Sequence, residues 1–500
     1  MMGTTEDRMG IQKLIFQKSY PGQGGLAFPE DGVESVAVEK LLPGIALRDR
    51  PPSLPEVAEP QIVRHYTRLS HLNYAVDTGF YPLGSCTMKY NPKLNDELAG
   101  LSGFSALHPY QDPKDVQGAL QVMWELEQAL LAITGMERMS LQPAAGAHGE
   151  LAGILMIRAY HLDHGGEYRD TVIVPDSAHG TNLATAAMAG FSVQEISSSE
   201  RGTIDPAILA AALSERTAAV MLTNPNTLGL FEEDILEISR LVHEAGALLY
   251  YDGANLNAIM GKARPGDMGM DVVHLNLHKT FSTPHGGGGP GAGPVGVSRS
   301  LEPYLPLPLV KVEEESGGDI TFSMDYDRPQ SIGRMKAFYG NVGVLIRAHA
   351  YILRMGAEGL TQASEDAVLN ANYLRARLRD AYHIPYDSTC MHEFVASTAH
   401  QKKQGVTTKD VAKRLLDFRM HAPTVYFPLI VPEAMMIEPT ESEDLATLDE
   451  FVDAMLQIDQ EASTDPDRVR TAPHSTPVRR PDETRAARHP ILRWTPEDTE

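Results

Sequence analysis

One lysine in this sequence is placed to become a nucleophile. In the run Asn276-Leu277-His278-Lys279-Thr280, Lys279 follows the apolar stretch Val272–Leu277 and precedes the glycine run Gly286–Gly289. At the mouth of a sheet, close to apolar walls, desolvation disfavours the ammonium form and frees the nitrogen for attack on a carbonyl carbon. An acid, Asp252, closes the apolar run Ala247–Tyr251. A carboxylate there can hold a ring N–H and keep an aromatic nitrogen protonated. The loop Pro143-Ala144-Ala145-Gly146-Ala147-His148-Gly149-Glu150 leads into a helical pattern. Its small residues let the backbone approach an anion, which the first N–H groups of a helix attract. His179, in the run Asp176–Asn182 after the apolar Thr171–Val174, is an imidazole able to stack on an aromatic ring. Each feature alone has an ordinary alternative: a loop lysine, a helix-capping aspartate, a strand-to-helix turn, a structural histidine. The four in this order form a constellation for pyridoxal 5'-phosphate (PLP), to which Asn276 and His278 add hydrogen-bonding groups beside the lysine.

The elements that must hold these residues are legible as alternation. Thr171–Val174, Ala218–Thr223, Ala247–Tyr251 and Val272–Leu277 read as buried strands, with helical patterns at Glu150–His161, Pro206–Leu213 and Glu233–Glu244 between them. That βαβ rhythm predicts a parallel sheet covered on both faces, with ligands beyond the carboxyl ends of its strands. An amphipathic helix is predicted over Asp115–Thr134, and further helices over Gly340–Met355 and Ser364–Asp380. The expected organisation is an extended arm over 1–110, a large domain over 111–330, a smaller α+β domain over 331–463, and a Pro- and Arg-rich tail over 464–500. The proline-punctuated arm suits wrapping around a neighbour, and the tail suits either disorder or docking on a partner chain.

Composition narrows the function classes. The 500 residues carry 66 acidic against 43 basic side chains, a net charge of −23, which argues against nucleic acid or an anionic membrane as the main partner. Two cysteines, Cys86 and Cys390, cannot build a disulfide framework or a multi-cysteine zinc site, so no metal and a reducing cytoplasm are expected. The most apolar stretch, Thr424–Ile437, is broken by Pro428, Pro432 and Glu433, and Met1–Arg8 carries Glu6 and Asp7 in place of a basic secretory leader.

Longer runs carry a resemblance. They are Tyr81–Lys89, Gln142–Glu150, Ser177–Asn182, Thr223–Thr227, Tyr251–Asn255, His278–Phe281, Pro284–Gly291, Ser331–Arg334, Thr471–His474 and Ala486–Arg488 to Trp494. The chain resembles, over most of its length, the C-terminal, catalytic half of the glycine cleavage system P-protein, which in many bacteria is a separate chain. The resemblance implies an α/β fold of the PLP-dependent, aspartate-aminotransferase-like class (fold type I), with a mainly parallel sheet in the large domain and a smaller α+β C-terminal domain. It makes Lys279 the Schiff-base lysine and Asp252 the pyridinium partner. His179 becomes the ring-stacking histidine, catalytic together with Lys279. Ala145, Gly146 and Ala147 form the phosphate cradle, with Asn224, Asn276 and His278 as further cofactor contacts.

The implied reaction is decarboxylation of glycine, with transfer of the aminomethyl group to the lipoyl arm of the carrier (H) protein and release of CO2. The implied partners are that carrier and glycine dehydrogenase subunit 1, in an α2β2 assembly. An arginine clamp on the substrate carboxylate would oppose loss of CO2, and none of Arg328, Arg334 and Arg354 announces itself as one. The hydroxyl-rich Gly84–Thr87 run therefore nominates Ser85 and Thr87 as substrate-binding residues. The alternatives are another fold-type-I enzyme (an aminotransferase or a cysteine desulfurase-like lyase) or a non-catalytic partner subunit. A desulfurase would need a mobile loop cysteine, and Cys390, followed by the apolar Phe394-Val395, reads as a buried structural thiol. Lys279, Asp252 and His179 together speak against a non-catalytic subunit.

Overall fold

The computed structural model describes residues 12–23, 29, 32–50, 52–286, 291–314 and 320–493; Met1–Arg8, Gly287–Gly289 and Trp494 lie outside the described residues. The chain forms two compact units, one of residues 1–75 with 473–500 and the other of residues 76–472.

The second unit is built on a seven-stranded sheet. Its strands are β1 (Arg138–Ser140), β2 (Thr171–Pro175), β3 (Ser192–Ile196), β4 (Thr217–Thr223), β5 (Leu248–Gly253), β6 (Val272–Leu275) and β7 (Val295–Val297). They lie in the order β1-β7-β6-β5-β4-β2-β3, with β2 to β6 parallel and β7 antiparallel to both of its neighbours. β4 and β5 are buried at every residue, as expected of strands covered on both faces, which read as continuous apolar runs. β3 is the edge strand, with Ser192, Gln194 and Glu195 exposed. It has no apolar run to announce it, and β1 and β7, three residues each, are too short to carry a pattern.

β6 ends at Leu275, two residues before the predicted boundary, and Leu277–Thr280 forms a single helical turn. Lys279 is therefore presented from a turn of helix beyond the strand. The helix predicted from Glu150 begins at Gly146 and runs to Asp163, its first turn closed by the Ala145 carbonyl accepting from His148 (3.1 Å) and Gly149 (2.9 Å). The two predicted helices after Gly340 are one element, Val342–Leu378, interrupted where Gly356 takes φ 61° and ψ −178°.

After this helix the chain builds a second apolar cluster, with Leu374, Leu378, Phe394, Phe451 and Met455 in its interior. A three-stranded antiparallel sheet, β10 (Phe394–Ser397), β12 (Ala434–Ile437) and β11 (Thr424–Val425), supplies its strands; β8 (Leu309–Glu314) and β9 (Ile320–Asp325) form a separate hairpin. The fold is thus the mostly parallel α/β architecture with a smaller α+β portion. No described helix is long and apolar enough to cross a membrane.

In the first unit, the helix Glu59–Ser70 begins with Gln61 accepting the Ala58 N–H at 2.9 Å, and His65 pairs with Lys18 at 2.9 Å. Many of its apolar side chains are exposed, among them Tyr20, Leu41, Ile45, Leu54, Val63 and Tyr66, and in the tail Ile491 and Leu492.

Candidate active site at the carboxyl ends of the sheet

The carboxyl ends of β2, β4, β5 and β6 open onto a cavity of about 230 Å³, which gathers residues from well-separated parts of the sequence. Lys279, Asp252, His179, Ala145, Gly146, Ala147, Asn276, His278 and Ser85 all line it. Asn224 and Thr87 do not. The Asn224 amide is wholly buried, its oxygen accepting the Glu232 N–H at 3.0 Å. The Thr87 hydroxyl donates to Glu438 at 2.5 Å. None of Arg328, Arg334 and Arg354 lines the cavity; Arg328 is bound to Glu302 at 2.6 Å, and Arg334 lies over the rings of Tyr110 and Tyr326.

Lys279 Nζ donates to the Ser85 carbonyl at 2.8 Å. The Asn276 amide, turned with its oxygen toward the lysine, accepts from the same Nζ at 3.2 Å and donates to the Leu275 carbonyl at 3.3 Å. Asn276 also packs against the start of the helix Gly146–Asp163 so closely that a Cβ at Gly146 would collide with the amide. That position needs glycine for close approach.

Asp252, at the end of β5, is almost fully buried. Burial alone would raise its carboxyl, but His274 (Nε2 to Oδ1 3.2 Å), Lys279, the Ala254 N–H (3.0 Å) and Asn182 (3.1 Å) outweigh it and hold Asp252 below the usual carboxylate range. Asn182 is shared: the same nitrogen donates to Glu150 at 2.8 Å. Burial first, and Asp252 second, push Glu150 up to about 7. His274 pairs through its other nitrogen with the Tyr250 hydroxyl at 2.8 Å. His179 caps the helix Gly180–Met188, its Nδ1 accepting the Thr181 N–H at 3.2 Å. Burial lowers its proton affinity against the opposing pull of Asp252, so its ring is a neutral plate. His278 is pushed down to about 3 by burial and by His285 and Lys279.

Glu150 and Asn182 are the last residues of two runs singled out in the sequence, yet their link to Asp252 was not legible there. His274 has a signal, a polar residue interrupting the apolar run of β6. Glu393 and Glu438 are harder to find. Both are wholly buried beside the Ser85–Thr87 loop, and in the sequence each is merely an acid next to an apolar run.

Two family descriptions match this chain: "Aminotransferase class-V" over residues 153–289 and "Glycine dehydrogenase, C-terminal domain" over residues 363–477. Among curated proteins, the chain is 60% identical over 482 residues to one from Caldanaerobacter subterraneus subsp. tengcongensis named "Probable glycine dehydrogenase (decarboxylating) subunit 2", covering 96% of this chain and 98% of that one. It is 59% identical to the protein of the same name from Pyrococcus abyssi, covering 97% of this chain and 96% of that one. The chain belongs to this family of enzymes. Among solved structures, the fold is similar to an inhibitor-bound glycine decarboxylase (P-protein) of the glycine cleavage system, with TM-score 0.70 and 20% identity over 84% of this chain and 94% of that one. It is also similar to a cysteine desulfurase from Thermococcus onnurineus, with TM-score 0.60 and 15% identity over 77% and 95%. At those identities the likeness speaks for the fold, the PLP-dependent fold type I.

Membership of these families implies PLP, and the cavity fits it. A helix start without room for a side chain at Gly146 suits a phosphate. A carboxylate kept ionised at Asp252 suits a pyridinium. Among the described residues, His278 Nδ1 and Thr223 Oγ1 line the cavity buried and without a partner, as groups awaiting a ligand would be.

Proposed function

We propose that this chain is the PLP-binding subunit of a glycine decarboxylase, taking the carboxyl group of glycine off as CO2 and passing the aminomethyl remainder to the lipoyl arm of a carrier protein. The observation that carries the reading is the convergence of Lys279, Asp252, His179 and the Ala145–Ala147 loop on one cavity. When bound, PLP supplies an electron-withdrawing ring that accepts the electron pair left as CO2 departs.

The chain's own residues do the rest. Lys279 would be the covalent anchor and, through Nζ, would exchange a proton with the substrate amino group as that group takes its place. Asp252, held ionised by His274 and Asn182, would keep a pyridine nitrogen protonated. His179 would lie on the ring's side of the cavity, and the Gly146 helix start would hold the phosphate. Neutral surroundings for the substrate carboxylate favour its loss, because an ion pair there would stabilise the ground state; the absence of Arg328, Arg334 and Arg354 from the lining supports this.

The relatives' name designates one subunit of a pair. We read the exposed apolar side chains of residues 12–75 and 473–493 as the surface that meets subunit 1, in an α2β2 assembly of the cytoplasm. A desulfurase reading has less support: Cys390 lies in the second apolar cluster, and burial pushes its thiol up to about 12.

The test is visible absorption of the purified chain with PLP, before and after borohydride, for the wild type and Lys279→Ala. The reading expects a lysine-bound band that borohydride abolishes and that never forms in Lys279→Ala. With the partner subunit and lipoylated carrier added, carboxyl-labelled glycine then yields labelled CO2. Formation of a keto acid without CO2 would overturn the reading in favour of an aminotransferase.

A further inference from the structure

Ser85 enters the cavity from a run whose backbone is held in an uncommon form. Ser85 and Thr87 both have left-handed φ, 65° and 47°, which for residues with a Cβ costs about 1 kcal/mol or more unless surrounding contacts impose it. The contacts come from the far end of the catalytic unit. Glu393, just before β10, accepts the Ser85 N–H at 2.7 Å. Glu438, just after β12, accepts the Cys86 N–H at 3.2 Å, the Thr87 N–H at 2.9 Å and the Thr87 hydroxyl at 2.5 Å. Gly84 donates to the Met436 carbonyl at 3.2 Å and lies so close to Met436 that a Cβ would not fit.

All three N–H groups of Ser85–Thr87 are thus spent on buried carboxylates. The Ser85 carbonyl is left to accept from Lys279 at 2.8 Å. A stretch of wall whose backbone offers a carbonyl oxygen and no free N–H attracts an ammonium group.

We propose that Glu438 and Glu393 are positioning residues: by holding Ser85–Thr87 they make the Ser85 carbonyl the seat of the Lys279 ammonium, and make this wall receive the amino group of an amino-acid substrate. The substrate clause rests on the proposed function; the lysine clause does not. The Thr87 hydroxyl, committed to Glu438, is on this account part of the scaffold and not a carboxylate ligand. Burial first, and Glu438 beside it, push Glu393 well above the usual carboxylate range.

The test reads Lys279 without cofactor. A short pulse of acetic anhydride at neutral pH, followed by mass spectrometry, reports how much of Lys279 is free to react. In Glu438→Gln the labelling of Lys279 rises about tenfold, the equivalent of one charge-assisted hydrogen bond, while other lysines keep their wild-type labelling. Ser85→Ala leaves Lys279 labelling unchanged, because the acceptor is the carbonyl and not the hydroxyl. Glu461→Gln, which removes the buried partner of Arg414 at 2.8 Å, controls for general loosening and also leaves Lys279 unchanged. Unaltered labelling in Glu438→Gln, or an equal rise in Glu461→Gln, overturns the proposal. Should Glu438→Gln fail to fold, Thr87→Val removes one of the three bonds onto Glu438; a rise of about threefold supports the proposal and no rise overturns it.

With PLP, partner subunit and carrier present, Glu438→Gln raises KM for glycine about tenfold with a smaller change in kcat. A kcat loss with unchanged KM overturns the substrate clause. If labelling behaves as expected but no variant, wild type included, turns over glycine, the functional reading fails while the lysine clause stands.

Discussion

Two buried clusters in the catalytic unit share one inventory, two carboxyl groups and one imidazole: Glu150, Asp252 and His274 at the sheet, and Glu393, Glu438 and His392 beside the antiparallel strands. At the sheet, the donors are mostly side chains, with one backbone N–H, that of Ala254. Asn182 reaches both carboxyls from one nitrogen, and His274 is partnered on both sides, by Tyr250 and by Asp252. Asp252 is thereby held low and Glu150 rises to about 7. In the second cluster the donors are mostly backbone N–H groups of Ser85, Cys86 and Thr87. His392 lies 3.9 and 3.8 Å from the two carboxyls, and neither of its ring nitrogens has a partner among the described residues. Where the donors sit therefore decides the work done: side-chain donors around a carboxylate tune a charge that faces a ligand, whereas backbone donors convert a carboxylate into a brace for a loop.

The comparison breaks first at Asp252. Asp252→Asn keeps the volume and removes the charge, and kcat is expected to fall at least about 100-fold, the usual cost of losing one preorganised electrostatic partner. Cofactor absorbance should survive, because the lysine and the phosphate cradle are untouched. A kcat within a few-fold of wild type would remove the sheet cluster's special role.

Next in size is the brace. Glu438→Gln turns an amide N–H against groups that need an acceptor, and we expect about 2 kcal/mol lower stability in urea unfolding, with the Ser85–Thr87 loop opened to amide exchange. Asn182→Ala, by contrast, should leave that loop protected. Equal exchange in the two variants would erase the distinction between the clusters.

A smaller effect concerns pH. Glu150 is raised from the ordinary glutamate value of 4.5 to about 7, so the folded chain binds more protons than the unfolded one in that window. Its contribution to stability is present below pH 4.5 and is lost as pH rises through about 7. Glu150→Gln should make the fall in stability over this window shallower. It will not be flat, because burial also raises Glu127, Glu232 and Glu443 to about 7. An unchanged slope in thermal melts from pH 5 to 8 would contradict the assignment. Smallest of all, Cys390→Ala, away from both clusters, should cost about 1 kcal/mol through lost packing and leave turnover unchanged; lost turnover would revive a catalytic thiol.

Much of the site could be read before the fold was known, for a physical reason. Lys279, Asp252 and His179 each follow an apolar run, and in a parallel sheet the carboxyl ends of such runs meet. The Gly146 loop is recognisable because its small residues lead into a helix start that leaves no room for a Cβ. Asn224, expected as a cofactor contact, does not line the cavity although it adjoins β4 in sequence: its amide oxygen accepts the Glu232 N–H. Thr87 fails as a lining residue because its hydroxyl finds a buried carboxylate. Neither direction follows from residue type.

What the sequence by itself determined is the periodic part: the strands β2, β4, β5 and β6, the helices between them, and the order of lysine, aspartate, histidine and small-residue loop along the chain. These are local, since burial on both faces of a strand and one face of a helix leaves a pattern within about ten residues. The tertiary structure alone decided which distant groups share protons and donors. Ser85 and Glu393 are separated by 308 residues, and Asp252 and Asn182 by 70. A hydrogen bond across such a gap leaves no periodic trace in either segment, because it depends on the direction of a single side chain after the chain has packed.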